Sequence, residues 1–111
     1  MSRSTSVILL VLAATLEAGG DALFRRALQS SAAANRAVLF ALGGCLLLGY
    51  GYTVNAPPWH FGRLLGLYVV IFFVIAQGIS WLVFHQPPSG RVMIGGAFIV
   101  TGGLVIALGQ T

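Results

Sequence analysis

Four apolar stretches of bilayer length follow one another through this 111-residue chain, parted only by short polar turns. A hydrocarbon core about 30 Å thick is crossed by about 20 predominantly apolar residues in a helix. The pattern predicts spans at residues 6–28, 37–54, 62–84 and 92–108, which together occupy most of the sequence. In lipid every backbone N–H and C=O must bond internally, and helices achieve this within one segment. The expected fold is therefore an all-α integral membrane protein, a single four-helix transmembrane domain over residues 1–111. Only 7% of residues are charged, against about 25% in a soluble domain. No water-facing surface can be built from that composition.

The turns are readable residue by residue. Arg25-Arg26 mark the exit of the first span, and Gln29-Ser30-Ser31 lead to Asn35-Arg36 before the second. Asn55-Ala56-Pro57-Pro58-Trp59-His60 separates the second span from the third, with two prolines to stop the helix. His85 to Arg91 separates the third from the fourth. Trp59 and Trp81 fall at interface depth, where tryptophan is enriched. Short turns predict that consecutive helices are antiparallel neighbours. The N-terminus has the outline of a signal peptide, but Glu17 and Asp21 interrupt its cleavage region, so it reads as a retained first span.

The net charge is +4, and all six basic residues are arginine. They sit singly or in one pair near helix ends, where they anchor to headgroups. Nothing resembles a basic stripe for nucleic acid. Arg3 and Arg63 lie on one side and Arg25, Arg26, Arg36 and Arg91 on the other, a weak topological bias. Cys45, the single cysteine, reads as a small buried apolar residue. No residues stand at metal-ligand spacing, so neither a metal nor another cofactor is expected.

Glu17 carries the chemistry. It lies well inside the first span, where a charged side chain costs about 2.5–3.5 kcal/mol on insertion scales. A carboxyl so placed must be protonated, paired or open to a water-filled cavity. It binds a proton or a cation, and the two compete. Helical spacing puts Ala13, Gly20 and Asp21 on its face. Ala13 and Gly20 leave room for a ligand or a packed helix. Asp21 has Arg25 four residues on, in the favourable acid-before-base order, and is expected to pair with it. In the third span Tyr68 is a candidate for holding a cation on its ring, whereas Tyr50 and Tyr52 read as belt residues. In the fourth span Gly96 and Gly103 share one face, as do Gly95 and Gly102. Such faces let membrane helices approach closely, and a dimer contact is expected there because four helices alone enclose little space.

These residues resemble the small multidrug resistance family within the drug/metabolite transporter superfamily. Leu16-Glu17-Ala18-x-Gly20, with Arg25 beyond, is similar to that family's embedded-glutamate segment. Ser80-Trp81-x-x-Phe84-x-Gln86 resembles the end of its third helix. Gly96-x6-Gly103-Leu104-Val105-Ile106 resembles its fourth, dimerising helix. Where the family's third helix carries a tyrosine, a tryptophan and two glycines, this chain has Leu65, Tyr68, Val70 and Phe72. Gly62-Arg63-x4-Tyr68 instead resembles the YnfA-type branch of small four-helix membrane proteins.

The resemblance implies an antiparallel homodimer in a bacterial inner membrane, with one chamber shared by two glutamates. It implies exchange of protons for lipophilic or guanidinium-type cations. Glu17 becomes the proton and substrate site, Tyr68 a lining residue, Ala13 and Gly20 cavity walls, and Gly96 and Gly103 dimer contacts. Two other readings stand beside it. One is a flippase subunit for a lipid-linked sugar or other metabolite; the other is a non-transporting accessory protein. An enzyme is not expected, since no nucleophile with a base or metal accompanies the two acids.

Overall fold

The computed structural model describes residues 1–108, all of whose regular structure is helical. The helices are α1 (Arg3–Gln29), α2 (Ala33–Val54), α3 (Phe61–Phe84) and α4 (Gly90–Leu108). All four are long and apolar enough to cross a membrane. The first two helices begin a few residues before the expected spans. For α1 the cause is a cap: Ser2 Oγ accepts from the Thr5 backbone N–H at 3.1 Å, which satisfies an otherwise orphaned donor. At the far end of α3, His85 adopts the left-handed conformation with φ 56°. The Gln86 N–H then donates to Ser80 O at 3.0 Å, closing the helix before Pro87.

Three threonines inside the spans bond within their own helix. The hydroxyls of Thr15, Thr53 and Thr101 each donate to the carbonyl four residues back, at 2.7–2.9 Å. Large apolar side chains such as Ile8, Leu48, Val74, Leu82, Phe98 and Val105 face outward. An apolar exterior over a small interior is what a lipid solvent requires. Cys45, expected to be buried, belongs to this exterior, because the face of α2 that meets α1 is occupied by glycine instead.

α1 packs against both α2 and α3, and α4 packs against α3. The first of these contacts is a close backbone crossing. A Cβ on Gly20 would stand 2.8 Å from Leu47 Cγ and 3.0 Å from Gly43 O. A Cβ on Gly43 would stand 2.6 Å from Phe24 Cδ1. Glycine at both positions is what brings the two backbones together.

α2 and α3 are consecutive and antiparallel but are not packed side by side, contrary to the expectation from turn length. Six residues between Val54 and Phe61 reach at most about 20 Å, and they fold into turns, with Ala56 N–H donating to Thr53 O at 3.2 Å and Trp59 N–H to Pro57 O at 2.9 Å. α1 fills the gap. α1 and α3 consequently run parallel, with their C-terminal ends together: Arg26 Nη2 donates to Val83 O at 3.1 Å.

Gly96 and Gly103 are buried against α3 of the same chain. A Cβ on Gly96 would meet Phe73 Cε1 at 2.6 Å, and one on Gly103 would collide with Val70 Cγ2. The expected dimer contact at these two glycines is thereby replaced by packing within the subunit. Gly95 and Gly102 lie on the outer side, with nothing near the space a Cβ would fill.

Candidate functional site

The site forms where α1 meets α3. Ala13, Ala14 and Ala18 on α1 are buried. Their short side chains let α3 come close enough for Tyr68 to reach across. Tyr68 is 4% exposed and clusters with Leu10, Ala13, Ala14, Val54 and Leu64. Its hydroxyl donates to Glu17 Oε1 at 2.8 Å. Glu17 itself is half-buried. It lies about 21 Å along the helix from Arg3 and about 18 Å from Gln29, at 1.5 Å per residue. The carboxyl is thus at mid-membrane depth, with a phenol fixed on one oxygen.

The Tyr68 ring is held from two further directions. Tyr50 of α2 lies 5.8 Å away between ring centroids, tilted by 35°. Phe72 lies 6.1 Å away, one turn along α3, tilted by 31°. Both are edges of the site that sequence reading missed, having assigned Tyr50 to an interface belt. The spacing of Phe72 four residues after Tyr68 was a usable signal. The approach of Tyr50 was not legible, because it depends on α1 standing between α2 and α3.

Ala13, expected as a cavity wall, is fully buried in the packing that holds the Tyr68 ring. Gly20 is not a cavity wall. It turns toward α2 and is filled by Leu47 and Gly43, since a backbone crossing leaves no ligand space.

Asp21 is exposed, and the expected pair with Arg25 does not form. The Arg25 guanidinium lies over the Phe84 ring, 5.7 Å from its centroid. Arg26 shares that ring at 5.1 Å. An exposed ion pair is worth only about 0–1 kcal/mol, and a guanidinium resting on an aromatic face gains about 0.5–1 kcal/mol, so the ring competes successfully with the carboxylate. Asp21 and Arg25 both line a cleft of about 670 Å³ between the C-terminal halves of α1 and α3, whose walls include Phe72, Ala76, Ile79 and Ser80.

Comparison with known proteins places this arrangement. No family model matches the chain, and no solved structure matches it. A UPF0060 membrane protein of Herpetosiphon aurantiacus is 33% identical over 104 residues, covering 91% of each chain. At that coverage the match reaches into all four helices. It accords with the YnfA-type features of α3 more closely than with the multidrug resistance family itself. With four membrane-length helices and this relationship, the chain belongs to the UPF0060 family of membrane proteins.

Proposed function

We propose that this protein is a proton-coupled antiporter that exports small organic cations, with Glu17 as the group that exchanges proton for substrate. The observation that carries the reading is the 2.8 Å hydrogen bond from Tyr68, about 10 Å into α3, to Glu17 at the middle of the membrane-length helix α1. A carboxyl at that depth is costly to ionise alone. Positive charge offsets that cost, supplied either covalently by a proton or electrostatically by a cation. When a cation docks, the carboxylic acid gives up one proton and the carboxylate takes the cation, so total charge in the site is conserved. Such mutual exclusion is the coupling an antiporter needs.

Tyr68 contributes in two ways. Its O–H fixes one carboxyl oxygen, leaving the other for the proton or the ligand. Its ring holds those of Tyr50 and Phe72, which are partly exposed and offer π-faces suited to lipophilic, quaternary or guanidinium-type cations. The protein works in this reading as an antiparallel homodimer in the bacterial inner membrane. Two copies enclose a chamber that one open arch of helices leaves unclosed.

The test is transport in proteoliposomes. An imposed pH gradient should drive tetraphenylphosphonium or phenylguanidinium against its concentration gradient, and Glu17→Gln should abolish this while preserving assembly. Normal gradient-driven transport in Glu17→Gln would refute the reading. Absence of transport for a broad cation panel would favour the flippase or accessory alternatives.

A further inference from the structure

The cleft beside Asp21 carries a separate inference, which goes beyond proton exchange at Glu17. We infer that the α1–α3 cleft is a second binding site, for an amphiphilic zwitterion whose ammonium lies between an apolar body and a terminal anion. Because α1 and α3 run parallel with their ends together, the cleft can be read in layers at 1.5 Å per residue. Ala18 and Phe72 form the deepest layer, about 16–18 Å from the helix ends. Asp21 and Ala76 come next, at about 12 Å. Arg25 and Ser80 follow at about 6 Å, below a rim formed by Leu28, Gln29 and Phe84. All six residues line the one cavity of about 670 Å³, within the range of small-ligand sites. Moving outward, the order of chemistry is apolar, anionic, cationic.

Each layer has an unmet requirement. The Asp21 carboxylate is exposed into the cleft and, among the described residues, has no cationic partner within 4.0 Å. Arg26 is committed to Val83 O, whereas Arg25 rests only on the Phe84 ring and keeps donors for an anion. A ligand ordered apolar, positive, negative from the inside outward satisfies all three layers together. A phospholipid does not, because its tails run inward directly from the phosphate and leave nothing positive for Asp21. A simple cation satisfies Asp21 and ignores Arg25.

The experiment is isothermal titration calorimetry on the purified full-length protein in nonionic detergent. The first probe is N-hexyl-N,N-dimethylglycine, which has the stated order. The second is hexylphosphocholine, which has the same chain and charges in reverse order. The first should bind saturably and the second about tenfold more weakly or worse, the worth of one well-placed charge pair. Asp21→Asn and Arg25→Gln should each weaken the first probe severalfold, with Arg25→Lys recovering part of the loss. Glu17→Gln should leave that binding within twofold, which separates this site from the exchange site. Equal affinity for the two probes, a preference for the phosphocholine, absence of saturable binding, or loss of binding in Glu17→Gln would each overturn the inference. The comparison of the two probes on the unaltered protein decides the matter even where Asp21→Asn fails to fold.

Discussion

Gly43 and Gly44 are adjacent in α2, yet an added methyl should act in opposite directions at the two positions. At Gly43 the new Cβ would stand 2.6 Å from Phe24 Cδ1 and 3.1 Å from the backbone oxygen of Gly20. Carbon atoms rest at about 3.5–4.0 Å, so the aromatic contact is short by about 0.9 Å. Phe24 is packed edge-on against Phe40, with ring centroids 5.1 Å apart, but it also borders the α1–α3 cleft, so its rotation relieves only the aromatic contact. The backbone contact cannot yield by rotamer change at all. α2 must therefore shift away from α1, and overpacking of this kind costs about 1–3 kcal/mol. Alanine returns up to about 1 kcal/mol through its higher helix propensity. Gly43→Ala should thus destabilise, by up to about 2 kcal/mol. Gly44 has nothing near its would-be Cβ, so Gly44→Ala should be neutral or stabilise by up to about 1 kcal/mol. Unfolding by sodium dodecyl sulfate in mixed micelles, followed by far-UV circular dichroism, measures both. Phe24→Leu combined with Gly43→Ala should show coupling, since the two side chains share one space. Equal stability of the two alanine variants, or strict additivity of the double variant, would refute the crossing that sets α1 in place.

Other expectations follow from the same contacts. Tyr68→Phe removes the donor to Glu17 and should weaken cation binding about tenfold, the worth of a hydrogen bond to a charged group; equilibrium dialysis with radiolabelled tetraphenylphosphonium measures it. Gly103→Val should lower the unfolding stability of the isolated subunit, whereas Gly102→Val should not, because only Gly103 faces Val70 of its own chain. Cys45→Ala, on the exterior of α2, should change stability by less than about 0.5 kcal/mol, read in the same mixed-micelle unfolding assay.

The four spans and the central acid were legible because each follows from a local rule. Apolar length sets a span, and Glu17 stands out as a carboxyl that such a span cannot accommodate passively. Tyr68 was visible as a candidate from residue type and depth. What sequence could not supply was which helices meet. The i, i+4 rule puts Asp21 and Arg25 within reach, but it cannot see Phe84, brought from α3 to compete for the guanidinium. The glycine faces of α4 announced close packing without naming the partner, and Gly96 and Gly103 proved to face α3. Gly20 was read from its own helix as room for a ligand or a packed helix, and it is Leu47 and Gly43 of α2 that fill it. In each case the missing information is a choice among partners of similar chemistry, which only the tertiary arrangement makes.

The central claim is that one carboxyl trades a proton for a positive guest. It is tested most directly by adding tetraphenylphosphonium to the detergent-solubilised protein in weak buffer and recording the pH with an indicator dye. Protons should appear in the medium as the cation binds, and Glu17→Gln should release none. Cation binding without proton release, or release that persists in Glu17→Gln, would contradict the account.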